Sequence, residues 1–230
     1  MQDSTEGSQH MKTFLLVLVG LGASSLYGAT IVYSNTTTDT GSSIQFAANG
    51  YTSIGDQISL TGTDRLALTA TTQFFNSLST SGTFSATLRL YAVGVNPSVV
   101  GALLGSYTVN NIAITGFDLN NPLTTGTTNV TFSNLNVTVP NSLIFVLSVA
   151  NVTNADLGLT LFDTPTAGTS DNASFITAVG NTFSVTPGDP GFSNVNFSLT
   201  ATATPEPVTL TMIGSGLLVL TLARRKRNAA

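Results

Sequence analysis

Thr83-Phe84-Ser85-Ala86-Thr87-Leu88-Arg89-Leu90-Tyr91-Ala92-Val93 alternates with a period of two. Phe84, Ala86, Leu88, Leu90 and Ala92 share one face, and Ser85, Thr87, Arg89 and Tyr91 share the other. A helix would scatter these apolar residues around its axis, whereas a strand gathers them on one side. The stretch is therefore predicted to be a half-buried strand with Tyr91 on its polar face. Leu66, Leu68, Ala70, Thr72 and Phe74 repeat the pattern one element earlier.

Outward from this pair, further short runs rich in Thr, Val, Ile and Phe suit pleated, half-buried backbone. They include Ile31 to Ser34, Gln57 to Leu60, Leu103 to Val109, Ile112 to Phe117, Leu143 to Val149, Leu157 to Phe162, Phe175 to Val179 and Val195 to Ala201. Breakers such as Asn120-Asn121-Pro122, Pro140-Asn141 and Pro187-Gly188-Asp189-Pro190-Gly191 separate them. Asn49-Gly50, flanked by apolar runs, predicts a hairpin, because both residues tolerate positive φ. Outside the two ends no amphipathic helical period is found. The expected fold is all-β, an antiparallel β-sandwich over residues 30–200, jelly-roll-like or alternatively immunoglobulin-like. Its core is expected to draw on Phe46, Phe74, Phe84, Leu88, Leu90, Phe117, Phe132, Phe145, Leu147, Leu161, Phe175 and Phe197.

Charge is distributed unevenly. Residues 30–204 hold two cations, Arg65 and Arg89, against eight aspartates, and no Lys, His, Cys, Trp or Glu. Without a basic patch the domain has no means of binding nucleic acid phosphates. Without cysteine its stability must come from packing. A Ser-His-Asp triad lacks its base, a Ser-Lys dyad lacks its lysine, and the usual zinc ligands are missing. Two carboxylates could still cleave a glycosidic bond, yet no aspartate pair stands in an apolar setting that would raise one pKa. Most of the aspartates neighbour Gly, Thr, Asn or Pro, where they stabilise turns. The chain is accordingly expected not to be an enzyme and to need no cofactor, structural calcium being the one exception. Asp163, Asp171 and Asp189, with Asn172, are the loop candidates for that ion, which prefers carboxylate, amide and carbonyl oxygens. For a carbohydrate, Tyr91 is the candidate ligand residue, since aromatic faces stack on sugar rings.

Both ends differ from this domain. From Met11 the order Lys12, an apolar run Phe14 to Leu21, then small residues Gly22 to Ser25 is that of a secretory signal peptide over residues 11–29. Cleavage after Gly28 or after Ala29 places a small residue at −1, although Leu26 or Tyr27 at −3 fits such a site poorly. Residues 1–10 are expected to be a spurious or leader extension, with Met11 as the start. Residues 201–207 form a linker ending in Pro205-Glu206-Pro207, followed by an uncharged apolar run over 208–223 and by Arg224-Arg225-Lys226-Arg227 within the tail 224–230. These four cations are among only seven in the chain. They resist transfer across a bilayer and hold that end in the cytoplasm. The apolar run would rise about 24 Å as a helix, short of the ~30 Å hydrocarbon core, which suits a transient transmembrane anchor.

This tail resembles the PEP-CTERM sorting signal of bacterial exported proteins: Pro-Glu-Pro, a hydrophobic helix and a terminal basic cluster, in that order. The resemblance implies an exosortase and the secretion machinery as partners, with cleavage near Pro205-Glu206-Pro207. It also implies a membrane-anchored precursor that ends at the cell surface or in the extracellular polysaccharide matrix. An ordinary single-pass anchor is the competing reading of the same residues. The stretch Ala155 to Asp171, and Val130 to Pro140 before it, are similar to segments of ectodomains joined to such tails. Those ectodomains often carry aromatics just after the position of Asp171. Here Asn172-Ala173-Ser174 stands there, so no stacking platform is carried over.

Overall fold

The computed structural model describes residues 28–95, 99–120, 126–170, 174–188 and 194–203. The leader extension, nearly all of the signal peptide, Pro205-Glu206-Pro207, the apolar run and the basic tail lie outside these residues. Ala29–Thr202 is one compact unit.

Its strands, in chain order, begin with β1 (Thr30–Asn35), β2 (Asp39–Gln45), β3 (Ser53–Ser59), β4 (Leu66–Asn76) and β5 (Gly82–Val93). There follow β6 (Val100–Ile114), β7 (Thr127–Phe132), β8 (Val137–Thr138), β9 (Ser142–Thr153) and β10 (Leu157–Phe162). The last are β11 (Thr169–Ser170), β12 (Ser174–Val179), β13 (Thr182–Pro187), β14 (Asn194–Val195) and β15 (Phe197–Thr202). The described residues are thus all-β. One antiparallel sheet, here sheet A, runs β1-β15-β4-β10-β14, with β2 on β10 and with β7 and β8 on β4. Sheet B runs β13-β12-β3-β9-β5-β6, with β11 on β3.

The period-two pattern orients both sheets. Phe84, Ala86, Leu88 and Leu90 of β5 are buried together with Leu143, Phe145 and Leu147 of β9. They meet Ala70 and Phe74 of β4 and Phe197, Leu199 and Ala201 of β15 in one apolar cluster that joins the sheets. Each Leu or Phe among them contributes about 1.5–3 kcal/mol on leaving water. Eleven of the twelve expected core residues are in that cluster. Phe117 is not. It is half-buried and meets Phe75 edge-on, with ring centroids 5.4 Å apart, on the outer face of sheet A.

Two strand expectations are corrected. Leu103 to Val109 and Ile112 to Phe117 are not separate strands: β6 runs unbroken from Val100 to Ile114. Asn111 takes a φ of 55°, and the ladder with β5 shifts register there, so the polar pair Asn110-Asn111 is absorbed as a bulge. Asn49-Gly50 does make a tight turn, with Gly50 at φ 67° and Tyr51 N donating to Phe46 O at 2.9 Å. It does not close a hairpin. β2 pairs with β10 in sheet A and β3 with β9 and β12 in sheet B, so the turn carries the chain from one sheet to the other.

The threonine-rich composition has a structural use. Thr69 and Thr200, Thr71 and Thr131, and Thr87 and Thr108 are cross-strand neighbours with hydroxyl separations of 2.6, 3.0 and 2.8 Å. Each pair combines a β-branched side chain with a short hydrogen bond on an outward face, which stabilises a sheet without charge.

Candidate functional site

Sheet A forks, and the fork makes a concavity. β10 pairs with β4 only through Leu157, Gly158 and Leu159, then leaves it. Beyond that point β10 is paired instead by β14, while β15 takes up the same edge of β4 from Thr72 to Leu66. The crossing is stitched by polar bonds. Asn196 N donates to Thr160 O at 3.0 Å, and Thr72 Oγ1 donates to Asn196 O at 2.6 Å. These bonds satisfy backbone groups that the fork would otherwise leave unpaired in a buried position.

On the outer face above this crossing lies a concavity of about 340 Å³. Thr71 and Gln73 line it from β4, and Asn129 lines it from β7. Ser198 of β15, the buried Asn196 and Phe162, and the exposed Thr36 complete it. Strand register brings these groups together: Gln73 stands opposite Asn129, and Thr71 opposite Ser198. None of the seven side chains carries a charge. Among the described residues, the Thr71 hydroxyl is engaged by Thr131 and that of Thr36 by Ser34. The heads of Gln73, Asn129, Asn196 and Ser198 make no hydrogen bond to other described residues. The concavity therefore presents three primary amides and a hydroxyl with both donors and acceptors unspent.

A second polar group lies inside the core. Tyr33 of β1 is fully buried, and Asp56 of β3 and Asn194 of β14 are buried near it. No hydrogen bond of acceptable geometry reaches Tyr33 Oη. Burial pushes its pKa well above the usual phenol value, Ser170 lowers it, and the Asp56 charge raises it further. The Ser170 hydroxyl itself donates to Asn194 Oδ1. Asp56 Oδ1 accepts from Gln57 N at 2.7 Å. Tyr33, Asp56 and Asn194 are buried and come from both sheets, so the group lies in the packing between them.

The residues singled out from sequence are placed as follows. Tyr91 is half-buried on the outer face of sheet B, edge-on to Phe183 with ring centroids 5.5 Å apart. It covers a small apolar cluster of Ile144, Val146 and Ile176, a packing role, and lies on the opposite sheet from the concavity. Asp163 is exposed, and its Oδ1 accepts from Thr164 N at 2.7 Å and Thr164 Oγ1 at 3.1 Å, a local turn. Asp171 and Asp189 lie outside the described residues, as do Pro205, Glu206, Pro207, Arg224, Arg225, Lys226 and Arg227. Among the described residues no group of three or more His, Cys, Asp or Glu is placed to hold a metal. The concavity was missed in the sequence. Its residues sit two apart along β4, which marks them as an outward face, but nothing local announces the fork that hollows that face.

No family model matches the chain, and no curated protein or solved structure matches it.

Proposed function

We propose that the chain is an exported, non-enzymatic bacterial protein, sorted through its C-terminal tail and processed by an exosortase. Its mature domain is placed at the cell surface or in the extracellular polysaccharide matrix. The observation that carries this reading is the order Pro205-Glu206-Pro207, an uncharged apolar run and Arg224-Arg225-Lys226-Arg227 behind a secretory signal segment. The fold is compatible with tethering. β1 and β15 are neighbours, with Thr30 opposite Ala201, so the chain enters and leaves the domain at one end. In fold terms the reading is a jelly-roll-like β-sandwich, supported by first and last strands that pair and by connections that mostly change sheet.

Mass spectrometry of the mature protein tests the reading. The expected C-terminus falls near Pro205-Glu206-Pro207, and a strain lacking the exosortase should accumulate full-length protein in its membrane. A mature chain from wild-type cells that still carries Arg224 to Arg227 would overturn it. The uncharged concavity favours a second reading, a carbohydrate-binding module, over any enzyme.

A further inference from the structure

We infer that the concavity at the fork of sheet A is a binding site for a neutral, hydroxyl-rich glycan. The lining is the argument. A sugar ring presents hydroxyls that both donate and accept, and so requires groups of both kinds opposite it. The amides of Gln73, Asn129 and Asn196 supply two donors and an acceptor each, and the Ser198 hydroxyl supplies one donor and accepts as well. Their heads make no bond to other described residues, so binding need not first break an internal hydrogen bond. Phe162, which lines the concavity, offers apolar surface for the C–H face of a ring.

Charge selects against the alternatives. Recognition of phosphate, sulfate or a uronic acid relies on cations, above all arginine forks. Both described arginines are elsewhere. Arg65 Nε donates to Asn141 Oδ1 at 2.8 Å, and Arg89 Nη1 donates to Ser148 Oγ at 3.3 Å on sheet B. The charges nearest Phe162 in the fold are acidic: Asp39 is its partner across β2, and Asp163 follows it in the chain. An anionic glycan would therefore be repelled. A peptide strand is disfavoured as well, because the concavity sits on a sheet face, where the backbone groups are already paired along the ladders. Its volume is near the lower end of small-molecule sites, room for about one or two sugar rings of a longer chain.

For its natural setting, an extracellular polysaccharide, the inference rests on the export reading; the site itself does not. The experiment separates the two. The full chain, held in a zwitterionic detergent without a sugar headgroup, is run by affinity electrophoresis through gels containing β-glucan, mannan, galactan or xylan. Alginate and a mixed peptide library serve as anionic and peptide comparators. At least one neutral polysaccharide is expected to retard the chain. Gln73→Ala and Asn129→Ala should each weaken that retardation about five- to tenfold, the loss of one or two hydrogen bonds. Because neither head bonds to another described residue, both variants should keep the wild-type melting temperature. Tyr91→Ala, on the opposite sheet, should bind as wild type does. The inference is overturned if no neutral polysaccharide binds, if only alginate or peptide binds, or if the Gln73 and Asn129 variants bind unchanged. Glycan binding by a chain whose tail is never cleaved would leave this site standing and remove the sorting reading alone.

Discussion

Phe145 of sheet B and Phe197 of sheet A stack face to face across the core, with ring centroids 3.9 Å apart and planes 6° from parallel. Tyr33 is a further aromatic neighbour of Phe197, with ring centroids 6.2 Å apart and planes tilted by 44°. The stack is where β9, the center of sheet B, meets β15, the last strand of sheet A. It therefore holds together parts of the chain that are distant in sequence. Phe197→Ala is expected to cost about 3–5 kcal/mol, as large-to-small changes in packed cores do. A double-mutant cycle with Phe145→Leu should return a coupling of about 0.5–1.5 kcal/mol beyond area burial. Urea unfolding of the four proteins measures it, and strict additivity would show that the rings do not act as a pair.

Asn76, fully buried at the end of β4, is bonded on all sides. Its Nδ2 donates to Thr80 O at 2.9 Å and to Thr115 O at 3.2 Å, and its Oδ1 accepts from Leu78 N at 3.1 Å and Asp156 N at 3.0 Å. One side chain thus ties the β4–β5 turn to the ends of β6 and β10. Asn76→Ala strands several of these backbone groups, at about 1–3 kcal/mol each where they stay dry. Asn76→Asp should be as damaging at neutral pH, since a carboxylate would face two carbonyl oxygens. Thermal melts of both variants decide this. A loss below about 1 kcal/mol for Asn76→Ala would mean that water replaces the amide.

The strand pattern was legible because alternation reports which face is buried, whatever the partner strand. Thus Phe84, Leu88, Leu90, Phe145 and Phe197 were placed in the core from spacing alone. Pairing was not legible. Asn49-Gly50 specifies a turn, but whether the flanking strands pair depends on longer partners elsewhere, and here β10 and β9 win. The run Ile31 to Ser34 marks a strand, but only the tertiary fold shows the Tyr33 ring enclosed. Tyr91 was read on the polar face of its strand and does lie on the outer face. The cover that Phe183 gives it was invisible, since the two residues are far apart in the chain. Gln73 and Asn129 looked like ordinary outward residues, because the fork that makes their face concave arises from contacts of β10, β14 and β15.

Gly55 of β3 sits against β9 so closely that a Cβ there would overlap Phe145 O and the Cα of Val146. The obstacle is backbone in the middle of sheet B, which cannot swing aside as a flexible side chain would. Gly55→Ala should therefore destabilise by about 1–3 kcal/mol, although alanine is otherwise accepted in strands. Gly50→Ala is the comparison, since open space surrounds that position and only its φ of +67° resists the change. Hydrogen exchange should show lost protection along β3 and β9 in Gly55→Ala, and little change there in Gly50→Ala. Equal, local effects of the two would contradict the steric account.

Tyr33 makes the alkaline limit of the fold predictable. Its hydroxyl is buried without a formed hydrogen bond, a placement that costs free energy. Tyr33→Phe should therefore hold or raise stability at pH 7, by up to about 1 kcal/mol. The pH dependence follows from linkage. The folded pKa is raised above the ordinary value of 10.0, first by burial, with Ser170 opposing and Asp56 adding. Below that value both states keep the proton and pH has no effect through this group. Above it the unfolded chain releases the proton while the folded chain retains it, so stability falls as pH rises, by at most about 1.4 kcal/mol per pH unit. Urea midpoints measured from pH 8 to 11 should decline in the wild type and decline less in Tyr33→Phe. Tyr107, whose pKa burial also raises, leaves a residual slope in the variant. Parallel wild-type and variant curves above pH 10 would show that Tyr33 ionises as freely in the fold as outside it.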